Sequence, residues 1–240
     1  GLITTLPKHC RPTGGRLVFS QIKSNRPVRV DVLQDGRVYQ VTGENPGWLS
    51  LSGVSFSVKN GTDVFLTDGW SSVGKKFRPA QIKRYADLCM LSGVVRTAGK
   101  WNEIVQVPKH CRPNKRIALG GNNHKTPIQL DISRNGSVAV YKSNHKRPWV
   151  SLDGLYFTRR VGTPLPLLNG AKKYVAPKGI DPYMMPHYWR VSQLLQRAVP
   201  SHVACPERQL GHAFRPGGPR YQWVTGQAST RVPAFQASGL

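Results

Sequence analysis

Acidic side chains are scarce in this chain: Asp and Glu number 11 in 240 residues, against 35 Lys and Arg, for a net charge of +24. Eleven acids, mostly at turns, leave little for paired-carboxylate catalysis. The nucleotide-binding and hydrolase signatures are missing as well, with no P-loop, GxGxxG, GxSxG or HExxH. No apolar run reaches the ~20 residues that would cross a bilayer as a helix, so no transmembrane segment is expected. Only four cysteines occur, Cys10, Cys89, Cys111 and Cys205. They form no CxxC and do not cluster as in a small secreted scaffold. They are read as buried free thiols in a reducing compartment, and neither zinc nor any other cofactor is expected. A sustained helical period is also lacking, while Gly (24) and Pro (19) are frequent, which favours β and irregular structure.

What is present is a duplication. Leu6-Pro7-Lys8-His9-Cys10-Arg11-Pro12 returns as Val107-Pro108-Lys109-His110-Cys111-Arg112-Pro113. The echo continues through Val30-Asp31-Val32 and Leu130-Asp131-Ile132, then Asp35-Gly36 and Asn135-Gly136. It ends with Trp48-Leu49-Ser50-Leu51-Ser52-Gly53 and Trp149-Val150-Ser151-Leu152-Asp153-Gly154. The interval is 101, slips to 100 at the aspartates and returns to 101 at the tryptophans. Self-similarity at a fixed interval marks a repeated folding unit. The residues defining it are Pro7, Cys10, Arg11, Asp31, Gly36 and Trp48, with Pro108, Cys111, Arg112, Asp131, Gly136 and Trp149.

The expected architecture is all-β: two tandem small antiparallel β-sandwich or barrel-like modules, then an extended basic tail with one short helix. The first module is 1–56, a connecting segment is 57–81, the second module is 82–158 and the tail is 159–240. Val28, Val30 and Val32 alternate with polar residues, which predicts a strand with one wet face, and Asp-Gly and Asn-Gly predict hairpin turns. Trp48-Leu49-Ser50-Leu51 and Val54-Ser55-Phe56 read as strands. Thr97-Ala98-Gly99-Lys100 reads as a hairpin loop. The second module gains its first strands from 82–96, and the first module has no counterpart to them after Gly1. Residues 1–56 are therefore expected to borrow an edge from a neighbour or to continue from a preceding segment. Asp31 and Asp131 are expected to be structural hydrogen-bond acceptors, and Trp48 and Trp149 core or inter-sheet plugs. His9-Cys10 and His110-Cys111 are the best catalytic suspects, but neighbours on a strand point to opposite faces, so neither histidine could activate its own cysteine. No catalytic residue and no metal ligand is assigned.

Leu91-Ser92-Gly93-Val94-Val95-Arg96, then Val107-Pro108 through Pro113, then Leu130-Asp131-Ile132, Asn135-Gly136 and Trp149 through Gly154 resemble, in that order, β modules at the ends of phage and bacterial tail-fibre-like proteins. Trp70 with Phe77-Arg78-Pro79-Ala80 is similar to the lead-in segment of that family. The resemblance covers about residues 1–157 and implies small antiparallel folds used for attachment and assembly. His9-Cys10 and His110-Cys111 depart from it, as does the strongly basic composition.

From Arg159 onward proline punctuates the chain, and 188–198 is the one stretch with a helical pattern. Such a segment cannot bury a core of its own, yet it carries aromatic residues between cations. Arg159, Arg160, Lys172, Lys173, Trp189, Arg190, Arg197, Arg215, Arg220, Tyr221 and Trp223 are the expected partner contacts, ordering on a polyanion. The expected role is a non-catalytic structural subunit of a large assembly, set among its other subunits. The polyanion is RNA in a ribonucleoprotein such as an organellar ribosome, which favours an intracellular setting such as the mitochondrion without fixing the compartment. Acidic protein surfaces of a cytoskeletal or axonemal lattice would attract the same charge, and a glycan-binding attachment module is the alternative from another class.

Overall fold

A computed structural model describes residues 1–23, 26–43, 48–141, 147–160, 163–164 and 187–188. The helix expected near 188–198 and most of the tail lie outside the described residues.

Among the described residues every regular element but two 3-10 turns is a strand. In the first module β1 (Leu2–Thr5) leads into a 3-10 turn at Lys8–Cys10, followed by β2 (Leu17–Lys23), β3 (Arg26–Val32) and β4 (Arg37–Gln40). They form an antiparallel sheet in the order β1-β4-β3-β2. The next strands are β5 (Thr62–Asp63), β6 (Trp70–Ser72), β7 (Gln81–Tyr85), β8 (Leu88–Ser92), β9 (Val94–Thr97) and β10 (Glu103–Gln106). A second 3-10 turn at Lys109–Cys111 precedes β11 (Ile117–Asn123), β12 (Thr126–Ile132), β13 (Ser137–Tyr141), β14 (Trp149–Ser151) and β15 (Leu155–Thr158). β16 (Thr163–Pro164) and β17 (His187–Tyr188) pair with each other. A seven-stranded sheet runs β10-β13-β12-β11-β14-β9-β6. Leu66 and Thr67, just before β6, bond back to Val105 and Ile104 of β10, so this sheet curls into a nearly closed barrel. A second sheet, β15-β8-β7-β5, completes the module.

The two copies match in register as well as sequence. Leu17 faces Val32 and Lys23 faces Arg26, as Ile117 faces Ile132 and Asn123 faces Thr126. A bulge falls between Leu2 and Thr4 and again between Glu103 and Val105. Each hairpin closes the same way: the Gly36 amide donates to Leu33 O and the Gly136 amide to Ser133 O, both 2.9 Å. Asp35 and Asn135 each accept the amide two residues on, at 3.0 Å. This is a type I turn ending in a glycine with positive φ.

Several expectations need correction. β3 has no wet face: Arg29 and Asp31 are buried along with Val28, Val30 and Val32, because the second module covers that side. Residues 48–51 and 54–56 form no strand, whereas β14 and β15, their counterparts, pair with β9 and β8. Strand structure at this corner depends on a neighbouring strand, and among the described residues nothing equivalent to β8 and β9 stands beside the first copy. Trp48 is accordingly 43% exposed and plugs nothing. Thr97–Lys100 joins β9 to β10, which are not neighbours in the sheet, so it is no hairpin loop. His9-Cys10 and His110-Cys111 sit in 3-10 turns rather than strands. Cys10, Cys89 and Cys111 are not free thiols, and Cys205 lies outside the described residues. Cys89 of β8 is bonded to Cys111, with their Cα atoms 5.8 Å apart, and Cys10 is disulfide-bonded too.

The modules are joined by two buried polar contacts. Arg78 of the connecting segment is fully buried and donates to Thr13 O of the first module and to Ser57 O just after it, while its own carbonyl accepts the Val94 amide of the second module at 3.1 Å. Burial holds its pKa below the ordinary arginine value. Elsewhere the repeat-equivalent strands β2 and β11 lie against each other, and Asp153 with Ser151 binds both polar groups of Val18: the amide to Asp153 at 2.7 Å and the carbonyl to Ser151 Oγ at 2.6 Å. Val18 faces Asp31 in the β2–β3 pair, a position whose backbone groups point to the outer edge of the hairpin.

A candidate polyanion interface on the second module

Residues 107–158 hold nine Lys and Arg and only two acids, Asp131 and Asp153. Both acids are buried. Asp131 accepts from Arg116 Nε at 3.0 Å and Gln129 Nε2 at 2.8 Å. Asp153 accepts the Gly93 amide at 2.8 Å and the Val18 amide at 2.7 Å. This stretch therefore presents no exposed carboxylate to offset its cations.

Three of these cations meet Arg159 in one place. Lys109 of the second 3-10 turn, Arg112 that caps it, Arg134 of the β12–β13 hairpin and Arg159 after β15 line an open cleft of about 890 Å³, together with Asn114 and Asn135. No acid lines it. The Arg159 backbone amide donates a hydrogen bond to Asp87 O at 3.4 Å, yet its Nε is buried with no hydrogen-bond partner among the described residues. A ring of like charges with an unsatisfied guanidinium nitrogen suits an anionic guest.

Of the two expected partner contacts among the described residues, Arg159 lines this cleft and Arg160 does not. Arg160 pairs with Asp87 at 3.0 Å but is 71% exposed on its side chain, a geometry of little energetic value. Lys172, Lys173, Trp189, Arg190, Arg197, Arg215, Arg220, Tyr221 and Trp223 lie outside the described residues. The repeat residues serve the fold. Pro7 and Pro108 start the 3-10 turns. Arg11 Nε donates to Leu6 O at 3.1 Å, and a Cβ added at Gly36 would sit 2.9 Å from that same oxygen; Arg112, Val107 O and Gly136 repeat the arrangement. Asp31 receives a two-pronged ion pair from Arg29 at 2.6 and 2.7 Å. Trp149 is half-buried and takes Arg29 on its ring face at 5.4 Å. Arg29 also lies 3.3 Å from His124 Nδ1, and burial, then the charges of Arg29, Arg147 and Lys125, lower the His124 pKa. Cys111 is in a disulfide, so the thiol that a His-Cys pair would need is engaged.

Sequence reasoning missed Lys109, Arg134 and Asn135 as a group, and it missed Asp153. A signal existed for two of them: Arg134 stands where the first copy has Gln34, and Asn135 where it has Asp35.

Compared with known proteins, the chain matches no family model and no curated protein. Among solved structures it is similar to the receptor-binding protein of Listeria phage PSA at 12% identity, over 41% of this chain and 64% of that one, with a TM-score of 0.35. The chain thus spans less than two thirds of the length of that protein.

Proposed function

We propose that this protein is a non-catalytic structural subunit whose second module lies on an extended polyanion, with RNA of a ribonucleoprotein, such as an organellar ribosome, as the partner. The observation that carries this reading is the fate of the acids in residues 107–158: both are buried, while three of the nine cations line a single cleft with Arg159. Counterions released from RNA by those cations would supply most of the affinity. The two modules act as a rigid platform, joined through Arg78 and Asp153. The test is a titration of the full chain with a ribosomal RNA fragment between 50 and 200 mM KCl. Affinity should fall steeply, with a slope of log K against log salt of about −3 for four phosphate contacts; a flat response would discard the reading.

A second reading is favoured by the Cys89–Cys111 disulfide. Such bonds persist in oxidising surroundings, which suits an attachment module exposed outside the cell, the role implied by the resemblance to tail-fibre modules. A glycan array with reproducible hits and no salt-dependent RNA binding would move the conclusion there.

A further inference from the structure

We infer that the cleft between Lys109 and Arg159 seats the phosphodiester strand of RNA, and that Arg134 and Arg159 are the residues that turned a closed joint into this site. This rests on the polyanion reading above and deepens it.

The argument comes from the same place in the two copies. In the first module the loop after Arg11-Pro12 is Thr13-Gly14-Gly15, and it fills the joint. Thr13 N bonds Val58 O at 2.8 Å. A Cβ on Gly15 would lie 2.5 Å from the Arg78 amide, so only glycine fits there. Gln34, with its carboxamide oxygen assigned to face the loop, accepts the Gly14 and Gly15 amides at 3.2 and 2.9 Å. All of it is neutral and satisfied.

In the second module the loop is one residue shorter, Asn114-Lys115 before Arg116, which is the slip of the repeat interval from 101 to 100. The joint is left open there, as the 890 Å³ cleft. Three exchanges around it run in one electrostatic direction: Gln34 becomes Arg134, Val58 becomes Arg159 and Asp35 becomes Asn135. Lys8 and Arg11 persist as Lys109 and Arg112. Arg112 packs over Gly136 and donates to Val107 O, but that contact does not offset the mutual repulsion of four cations around a void, which an entering anion would relieve. The Nε of Arg159, buried and without a hydrogen-bond partner among the described residues, adds a donor for which an entering anion would supply the acceptor.

A nucleic-acid strand carries one charge on every nucleotide, so neighbouring phosphates can engage several of these cations together. Guanidinium forks match phosphate oxygens in pairs. An acidic peptide is the competing guest, and the test separates the two.

The experiment uses the full chain and a single-stranded RNA of about 20 nucleotides, with polyglutamate as the second probe. Arg134→Gln with Arg159→Val restores the residues of the first module. It should weaken RNA binding at least tenfold at 100 mM KCl and reduce the salt slope by about 1.4, the share of two phosphate contacts on a single strand. Lys75→Gln with Lys76→Gln removes two exposed charges elsewhere and should leave binding within about twofold. On the unmutated protein, RNA should shield Lys109 from acylation and leave Lys75 reactive, a readout that does not depend on any variant folding. If RNA binds the unmutated chain but neither the double variant nor Lys109 reactivity responds, the cleft assignment is overturned while the polyanion reading stands. If the unmutated chain does not bind RNA, both fall. If the double variant loses polyglutamate but keeps RNA, the cleft is a carboxylate site and the inference is wrong.

Discussion

Asp153 sits where the two modules meet, buried, with one oxygen on the Gly93 amide and the other on the Val18 amide. Burial pushes its pKa up to about 6; the two amides, the Arg78 charge and the Ser151 hydroxyl pull the other way without prevailing. A folded-state pKa above the unfolded one means that the folded protein holds the proton more tightly. The associated stability is complete below about pH 4 and is lost as pH rises through about 6, a swing on the order of 3 kcal/mol. Asn at this position cannot titrate, and its NH2 would face one of the two amides, leaving that donor unsatisfied. The stability advantage of the native chain over Asp153→Asn should therefore be largest near pH 4 and shrink by pH 7. Urea unfolding of both proteins across that range measures it, and an advantage that grows with pH would refute the assignment. Asp153 was hidden in the sequence because its counterpart Ser52 keeps the same local turn: Ser52 N bonds Ser50 Oγ at 3.2 Å, as Asp153 N bonds Ser151 Oγ at 3.1 Å. Local pattern describes the corner in both copies; only the tertiary contact with Val18 distinguishes them.

At the level of elements, the unit that was copied is a 3-10 turn locked to a hairpin. The Leu6 amide donates to Gly36 O at 2.8 Å and the Val107 amide to Gly136 O at 2.9 Å, while the arginine of each motif covers the glycine. Gly36 has φ +90° and Gly136 φ +95°. Alanine at either position meets both an unfavourable backbone region and a carbonyl oxygen 2.9 Å from its Cβ, so each substitution should cost about 1–3 kcal/mol. Chemical denaturation of the two single variants checks this, and equal costs are expected because the surroundings are equal. The turn and the register of β2 with β3 and of β11 with β12 were legible because a dipeptide turn and a period of two are local properties. Residues 48–56 were misread for the opposite reason: their apolar pattern is that of β14 and β15, but β8 and β9 make those segments strands and come from elsewhere in the chain. Arg78 belongs at this scale too. Its guanidinium is the bridge from the Phe77-Pro79 segment to Thr13 and Ser57. Arg78→Ala would leave those carbonyls without donors, at about 1–3 kcal/mol each, and should split a single calorimetric transition into two as the modules uncouple.

For the molecule as a whole, charge and redox state point to different surroundings, and the disulfide is the sharper instrument. The cationic excess suits RNA, acidic protein or any other polyanion, and residues beyond Arg159 add words that recur from earlier in the chain. Gly162-Thr163 and Asn169-Gly170 follow Gly61-Thr62 and Asp68-Gly69 by 101 residues, with β16 at the place of β5, and Arg215-Pro216-Gly217-Gly218-Pro219-Arg220 echoes Arg11-Pro12-Thr13-Gly14-Gly15-Arg16. Those arginines are thus shared with the wording of the repeat itself, and the polyanion reading rests more securely on the second module than on the tail. The Cys89–Cys111 bond, at a separation of 22 residues, ties β8 to the 3-10 turn whose Lys109 and capping Arg112 line the cleft. Closing a loop of that size constrains the unfolded chain by about 3 kcal/mol in the loop-entropy account. Reduction should therefore lower the urea midpoint and loosen the cleft together, measurable as weaker RNA binding at fixed salt. Alkylation of the protein in its native source before lysis separates the settings. A ribonucleoprotein subunit kept in a reducing compartment would be labelled at Cys89 and Cys111; a module working in an oxidising one would yield the two peptides still joined. Joined peptides combined with steep, salt-dependent RNA binding would require a ribonucleoprotein that matures where thiols are oxidised, since neither charge nor disulfide could then be set aside.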